Sequence, residues 1–168
     1  MTTPSLLIIY HSMTGGTRQM AQACADAART EGGTTVNLKE AAQTTADDIL
    51  NASGYVFATP EYLGSMSGSV KDCFDRTYYQ VIDKIEGRPY AILVCAGSDG
   101  QGAVKQIERI VAGWRLKGIA APVIVNVAAQ TPTSILAPKK LTATQLSPYR
   151  NWHFTGGWPV HGLILTRS

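Results

Sequence analysis

The chain has 168 residues, 45% hydrophobic and 16% charged, with a net charge of +3. That length suits one domain with room for a core. Lys and Arg are scattered, with Lys139-Lys140 the one adjacent pair, which argues against a nucleic-acid partner, and no apolar run approaches the ~20 residues of a membrane span. The start, Met1-Thr2-Thr3-Pro4, carries no charged region, so no signal peptide is expected. The three cysteines, Cys24, Cys73 and Cys95, are far apart and form no CxxC pattern. Neither a zinc site nor a disulfide framework is expected, and a cytoplasmic setting fits.

Residues 6–10, Leu-Leu-Ile-Ile-Tyr, are apolar throughout, as in a parallel strand covered on both faces. The stretch Ser12-Met13-Thr14-Gly15-Gly16-Thr17 follows, and a helix is predicted over 18–31. A strand, a small hydroxyl-rich turn and a helix together can hold a phosphate. The first N–H groups of the helix lack internal partners and its dipole is positive there. The stretch has no Lys, so it is not a P-loop, and an ordinary tight connection stays open. Met20, Cys24, Ala27 and Ala28 share one helix side, and Gly32-Gly33 ends the helix. Residues 34–38 read as a second strand, and Asp47-Asp48-Ile49-Leu50 as a short helix.

Residues 55–59, Tyr-Val-Phe-Ala-Thr, form a third predicted strand. It is expected to stop at Pro60, which cannot donate to a ladder. The loop Pro60-Glu61-Tyr62-Leu63-Gly64-Ser65-Met66-Ser67-Gly68 is long for a strand-to-helix connection. The helix after it carries Val70, Phe74 and Tyr78 at i, i+4, i+8. Residues 90–95 form a fourth strand, followed by a third small-residue loop, Ala96-Gly97-Ser98-Asp99-Gly100-Gln101-Gly102. A helix is predicted over 104–117, closed by Gly118, and a fifth strand over 122–127. This alternation predicts a doubly wound α/β fold, with a five-stranded parallel sheet and helices on both faces. Loops after the first, third and fourth strands would converge beyond the strands' carboxyl ends. Their composition suits a flat ligand with a phosphate tail.

At these residues the chain resembles the flavodoxin-like FMN proteins. The stretch from Ser12 to Thr17 looks like their [ST]-x-T-G-x-T phosphate loop. Thr59-Pro60-Glu61-Tyr62-Leu63-Gly64-Ser65-Met66-Ser67-Gly68, with Lys71, Phe74 and Asp75, resembles a segment of the NAD(P)H-dependent FMN reductases and flavodoxin-like quinone reductases. The likeness runs from residue 6 to about 146. It implies FMN as cofactor, its phosphate on Ser12, Met13, Thr14, Gly15, Gly16 and Thr17. It implies the isoalloxazine ring against Thr59, Pro60, Glu61, Tyr62, Leu63, Gly64, Ser65 and Met66, and its pyrimidine edge closed by Ala96, Gly97, Ser98, Asp99 and Gly102. It further implies NADH or NADPH as co-substrate and a quinone or similar small molecule as acceptor. Chemistry would come from the cofactor, with no side chain acting as acid or base.

Single residues keep two readings. Tyr62 stacks on the flavin or packs on its loop. Glu61 reads as a solvent-side or partner-facing loop residue rather than a catalytic one. Asp99 bonds the ring edge or makes a turn with Gly100. Arg18 reads as a solvated surface cation and His11 as a rim or core histidine. Cys95 reads as buried packing, and Trp114 as core or oligomer interface, which leaves a homo-oligomer open. Other chemistries fail. Thr59-Pro60 stand where a phosphoacceptor Asp would be needed, the first turn lacks G-x-G-x-x-G, and no G-x-S-x-G is present.

The ending departs from the family pattern. Thr142-Ala143-Thr144-Gln145 is a capping box that announces a last helix. Pro148 then falls in its second turn, and residues 149–159 have no helical period. The division expected is a flavodoxin-like domain over 1–147 and an irregular aromatic tail over 148–168. The leading expectation is an FMN-dependent NAD(P)H oxidoreductase. A flavodoxin-type electron carrier is the alternative, opposed by the positive net charge. A flavin-free binding protein of the same fold is the third.

Overall fold

A computed structural model describes residues 2–148, 152–155 and 158–161. The central sheet begins with β1 (Ser5–Tyr10), β2 (Thr35–Glu40), β3 (Gly54–Tyr62) and β5 (Pro89–Ala96), all parallel where they pair, in spatial order β2-β1-β3-β5. Two short strands, β6 (Lys117–Gly118) and β7 (Val123–Asn126), share the outer side of β5. A two-residue strand, β4 (Ser65–Met66), folds back antiparallel on the end of β3.

Period-two alternation sorts the apolar strand residues between two cores. Leu7, Ile9, Tyr55, Phe57, Ile92 and Val94 face α2 (Ala46–Asn51), α3 (Gly68–Val81) and α4 (Gln101–Gly113). Leu6, Ile8, Val56, Ala58, Ala91 and Leu93 face α1 (Gly16–Glu31), which contributes Met20, Ala21, Cys24, Ala25 and Ala28. Burial on both sheet faces explains why these strands are apolar without interruption. A short α5 (Pro132–Leu136) follows β7, started by a capping box of Thr131 and Ser134 with Pro132 in its first turn.

Two boundaries differ from expectation by several residues. The third strand runs through Pro60 to Tyr62 instead of stopping. The Ala58 carbonyl accepts from the His11 N–H at 3.2 Å, on the β1 side. Pro60, two residues on, turns its nitrogen to that same side, where β1 has already ended at Tyr10. No partner there requires the missing donor. The fourth helix ends at Gly113, and Lys117-Gly118 is strand. Arg115, at φ 54, breaks the helical path, and Gly118 then pairs with Tyr90. Trp114 is 1% exposed and donates its ring N–H to the Tyr78 carbonyl at 3.2 Å, so it is a core residue.

The capping box at the end forms. The Thr142 N–H donates to Gln145 Oε1 at 2.9 Å and the Gln145 N–H to Thr142 Oγ1 at 3.2 Å. One turn follows, from the Leu146 N–H to the Thr142 carbonyl. Pro148 cannot bond the Thr144 carbonyl, and the Ser147 N–H and hydroxyl bond it instead. No α-helix follows Leu136 among the described residues. Beyond Pro148, β8 (Trp152–Thr155) and β9 (Trp158–His161) pair antiparallel, and β8 lies beside α1. The rest of the 148–168 segment lies outside the described residues.

Candidate functional site

The β1–α1 turn is built for close approach. Gly15 adopts φ 95, in the left-handed region, and its N–H donates to Ser12 Oγ at 3.1 Å. α1 starts at Gly16, so Gly16 and Thr17 already belong to its first turn. A Cβ on Gly16 would stand 2.6 Å from Cys95 Sγ, so glycine lets the turn sit on the β5 end without displacing that sulfur. Thr17 is 1% exposed, yet its hydroxyl has no hydrogen-bond partner among the described residues. A buried hydroxyl without a partner is costly unless something else completes it. At a helix N-terminus with open N–H groups, an anion does so.

The second loop folds as a hairpin. Tyr62 pairs with Ser65 across Leu63 (φ 53) and Gly64 (φ 74), both in the left-handed region that a type I′ turn requires. Leucine rarely adopts that conformation, and Leu63 is 104% exposed at the hairpin tip. Thr59 is buried and used internally: its hydroxyl accepts from the Ser67 N–H at 3.0 Å and donates to the Pro60 carbonyl at 2.8 Å. Ser67 Oγ caps α3 through the Val70 N–H. Gln106 of α4 holds β4, accepting from the Met66 N–H and donating to Ser65 Oγ.

Glu61 is not a free loop carboxylate, as the sequence suggested. Its oxygens accept from the N–H groups of Gly100 at 3.2 Å and Ala103 at 3.1 Å, at the start of α4. Second and third loops are thereby joined. A Cβ on Gly102 would lie 1.8 Å from the Gly64 carbonyl oxygen, so glycine is required at that crossing. Asp99 makes a turn, accepting from the Gln101 N–H at 2.8 Å. The side-chain amides of Asn126 and Gln130 donate to the carbonyls of Ser98 and Gly97.

The three loops enclose one cavity of about 310 Å³, within the range of small-molecule pockets. Ser12, Met13, Thr14, Gly16 and Thr17 line it, with Pro60, Glu61, Tyr62, Leu63 and Gly64, and Ala96, Gly97 and Ser98. Gly15, Thr59, Ser65, Met66, Asp99 and Gly102, predicted for the same site, stand off the lining and shape its walls. Sequence reasoning missed Cys95, Val127, Ala129, Gln130, Ile135 and Lys139, which also line it. The Thr131-Pro132 start of α5 was the available signal that the chain turns back there.

Tyr62 and His11 meet edge to face at 6.3 Å. Burial pushes the Tyr62 phenol above its usual range, opposed by a hydrogen bond from the Met13 backbone. Burial likewise lowers His11, against the raising field of Glu40. Arg18 is exposed and pairs with Glu40 at 3.4 Å. Among the described residues no three His, Cys, Asp or Glu side chains gather to hold a metal, and no helix is long and apolar enough to cross a membrane.

Residues 4–131 match the family model described as NADPH-dependent FMN reductase. A flavodoxin of Aquifex aeolicus (strain VF5) is 34% identical over 97 residues, covering 58% of this chain and 50% of that protein. An NAD(P)H dehydrogenase (quinone) of Acidithiobacillus ferrooxidans (strain ATCC 53993 / BNL-5-31) is 30% identical over 92 residues, covering 43% and 46%. The chain thus spans about half the length of the curated relatives it matches. Among solved structures, an archaeal flavodoxin superposes with a TM-score of 0.69 at 16% identity, over 87% of this chain and 91% of that one. A WrbA-like flavodoxin from Agrobacterium tumefaciens gives 0.65 at 16% identity, over 93% and 94%. The flavodoxin-like fold follows from these likenesses.

Proposed function

The chain belongs to the NADPH-dependent FMN reductase family, and from that premise we propose that it binds FMN and oxidises NADH or NADPH, passing the electrons to a quinone or similar small acceptor. The observation that carries the reading is the unpartnered Thr17 hydroxyl, buried at the α1 N-terminus in a cavity walled by all three loops. A phosphate there would complete the hydroxyl and the open helix N–H groups together. Ser12, Met13, Thr14 and Gly16 would wrap it. Pro60, Glu61, Tyr62, Leu63 and Gly64 would border one side of the ring, with Ala96, Gly97 and Ser98 along its edge. When bound, FMN supplies the hydride and electron chemistry. The chain's residues then hold the ring, limit its access and keep water from its inner face. No side chain is required as acid or base. Three buried free thiols suit a reducing cytoplasm.

The quinone dehydrogenase relative supports an enzyme, and the flavodoxin relative supports the alternative, an electron carrier without its own nicotinamide reaction. A positive net charge favours the enzyme, since carriers that dock on basic partners are acidic. Purified protein should be yellow, absorbing near about 450 nm as oxidised flavin does. It should oxidise NADH or NADPH with a benzoquinone present. A yellow protein that turns over neither nicotinamide is a carrier, and a protein that takes up no FMN overturns the reading.

A further inference from the structure

The segment after α5 crosses back over the β1–α1 turn. The Lys139 N–H donates to the Thr14 carbonyl at 2.7 Å. Gln19 fastens the same segment, donating to the carbonyls of Gly15 (2.9 Å) and Lys139 (2.8 Å) and accepting from the Leu141 N–H (2.9 Å). The Lys139 stem passes over Gly16: a Cβ there would be 3.5 Å from its Cβ and 3.6 Å from its Cγ. Its ammonium rests on three carbonyls, those of Ser134, Ile135 and Ala137, at 2.7, 3.1 and 2.5 Å. That is the negative end of α5, which fixes the charge in place.

Lys139 also lines the cavity, where the remaining charged lining residue is Glu61. Glu61 is occupied by the start of α4, away from the turn. Lys139 therefore runs its stem along the end of the cavity that holds Ser12, Thr14, Gly16 and Thr17, and its charge is felt at Cys95, whose sulfur stands beside Gly16. Arg18, next in sequence, is spent on Glu40 outside the lining.

We propose that Lys139, carried on the segment that crosses the β1–α1 turn, supplies the counter-charge for the flavin phosphate and makes the site select FMN over riboflavin. This inference rests on the FMN reading above. The charge acts where it is held. It needs no new hydrogen bond, because its three donors are already committed. Its effect is electrostatic in a partly enclosed site, where screening is incomplete.

Flavin titrations followed by fluorescence quenching test it. Lys139→Met keeps the stem over Gly16 and removes the charge. FMN should bind about tenfold more weakly and lose most of its salt dependence, while riboflavin should change less than about twofold. Lys139→Arg should keep the preference for FMN. Equal weakening of both flavins by Lys139→Met, no weakening of either, or an Arg variant as poor as the Met variant would overturn the proposal. Riboflavin binding reports in each variant that the pocket is folded. Wild-type protein that binds neither flavin overturns the FMN reading itself, a result distinct from wild-type binding that Lys139→Met leaves unchanged.

Discussion

The Glu61 carboxylate bridges to the Ala103 backbone, accepting from its N–H at 3.1 Å, and takes the Gly100 N–H at 3.2 Å with its other oxygen. One side chain on the second loop thereby satisfies two donors at the start of α4, where a negative charge also meets the helix dipole. Glu61→Ala removes both interactions. We expect a loss of about 1–2 kcal/mol, read as a lower urea midpoint at unchanged slope. Glu61→Gln keeps an acceptor and should lose about half as much. An alanine variant as stable as wild type would show that the bridge contributes nothing.

That bridge also marks the limit of what the sequence told. The apolar strands were legible because burial on both faces leaves an unbroken signature, and β1 and β5 stand within a residue of expectation. The Ser12 to Thr17 stretch was legible because the residue types a close turn needs are few. Glu61 was not, because its partners are backbone N–H groups 39 and 42 residues away, and backbone donors leave no trace in composition. Pro60 misled for a related reason. A proline ends a strand only where a neighbour needs its donor, and the place where β1 ends cannot be read locally. Lys139 reads as one of two adjacent surface lysines until the chain's return over the turn is known.

Gly16 and Cys95 form a pair that a double-mutant cycle can separate. A Cβ at residue 16 would come within 2.6 Å of the sulfur of Cys95, a residue that is 7% exposed. Gly16→Ala should therefore cost about 1–3 kcal/mol by overpacking. In a Cys95→Ala background the sulfur is gone, and the same change should cost less by about 1 kcal/mol or more. Additive costs in urea denaturation would show that the sulfur is not what excludes a side chain.

Alkali should destabilise the fold through its buried thiols. Burial raises Cys24 from 9.0 to about 12, and Cys73 and Cys95 each from 9.0 to about 11. Above pH 9 the unfolded chain gives up these protons while the folded chain keeps them. The unfolded state then binds fewer protons, so stability falls as pH rises from about 9 towards 11. The Tm should drop steadily between about pH 8.5 and 10.5, and Cys24→Ala should flatten that slope whatever its effect on Tm at neutral pH. A Tm level across that range, or an unchanged slope in the variant, would contradict the assignment. Alkylation at pH 8 should likewise be slow in the native protein and rapid for all three thiols in denaturant.

Gln19 holds the crossing segment that leads into the single turn formed where a last helix is expected. Its amide makes three bonds at once, to Gly15, Lys139 and Leu141, and Leu141 is buried against the α1 face of the sheet. Gln19→Ala leaves the Lys139 carbonyl and the Leu141 N–H without these partners in a part-buried place. The expected cost is about 1–3 kcal/mol. The location of that cost can be read separately from its size. Amide exchange should accelerate at Lys139 and Leu141, and hardly at all in β1, β3 or β5, because the strands do not depend on the segment. Gln19→Glu tests the bond pattern itself: it keeps the acceptor for Leu141 but places a second acceptor against two carbonyls, and should be no better than alanine. A glutamate variant with wild-type stability and wild-type exchange at residues 139–141 would rule out Gln19 as the clasp.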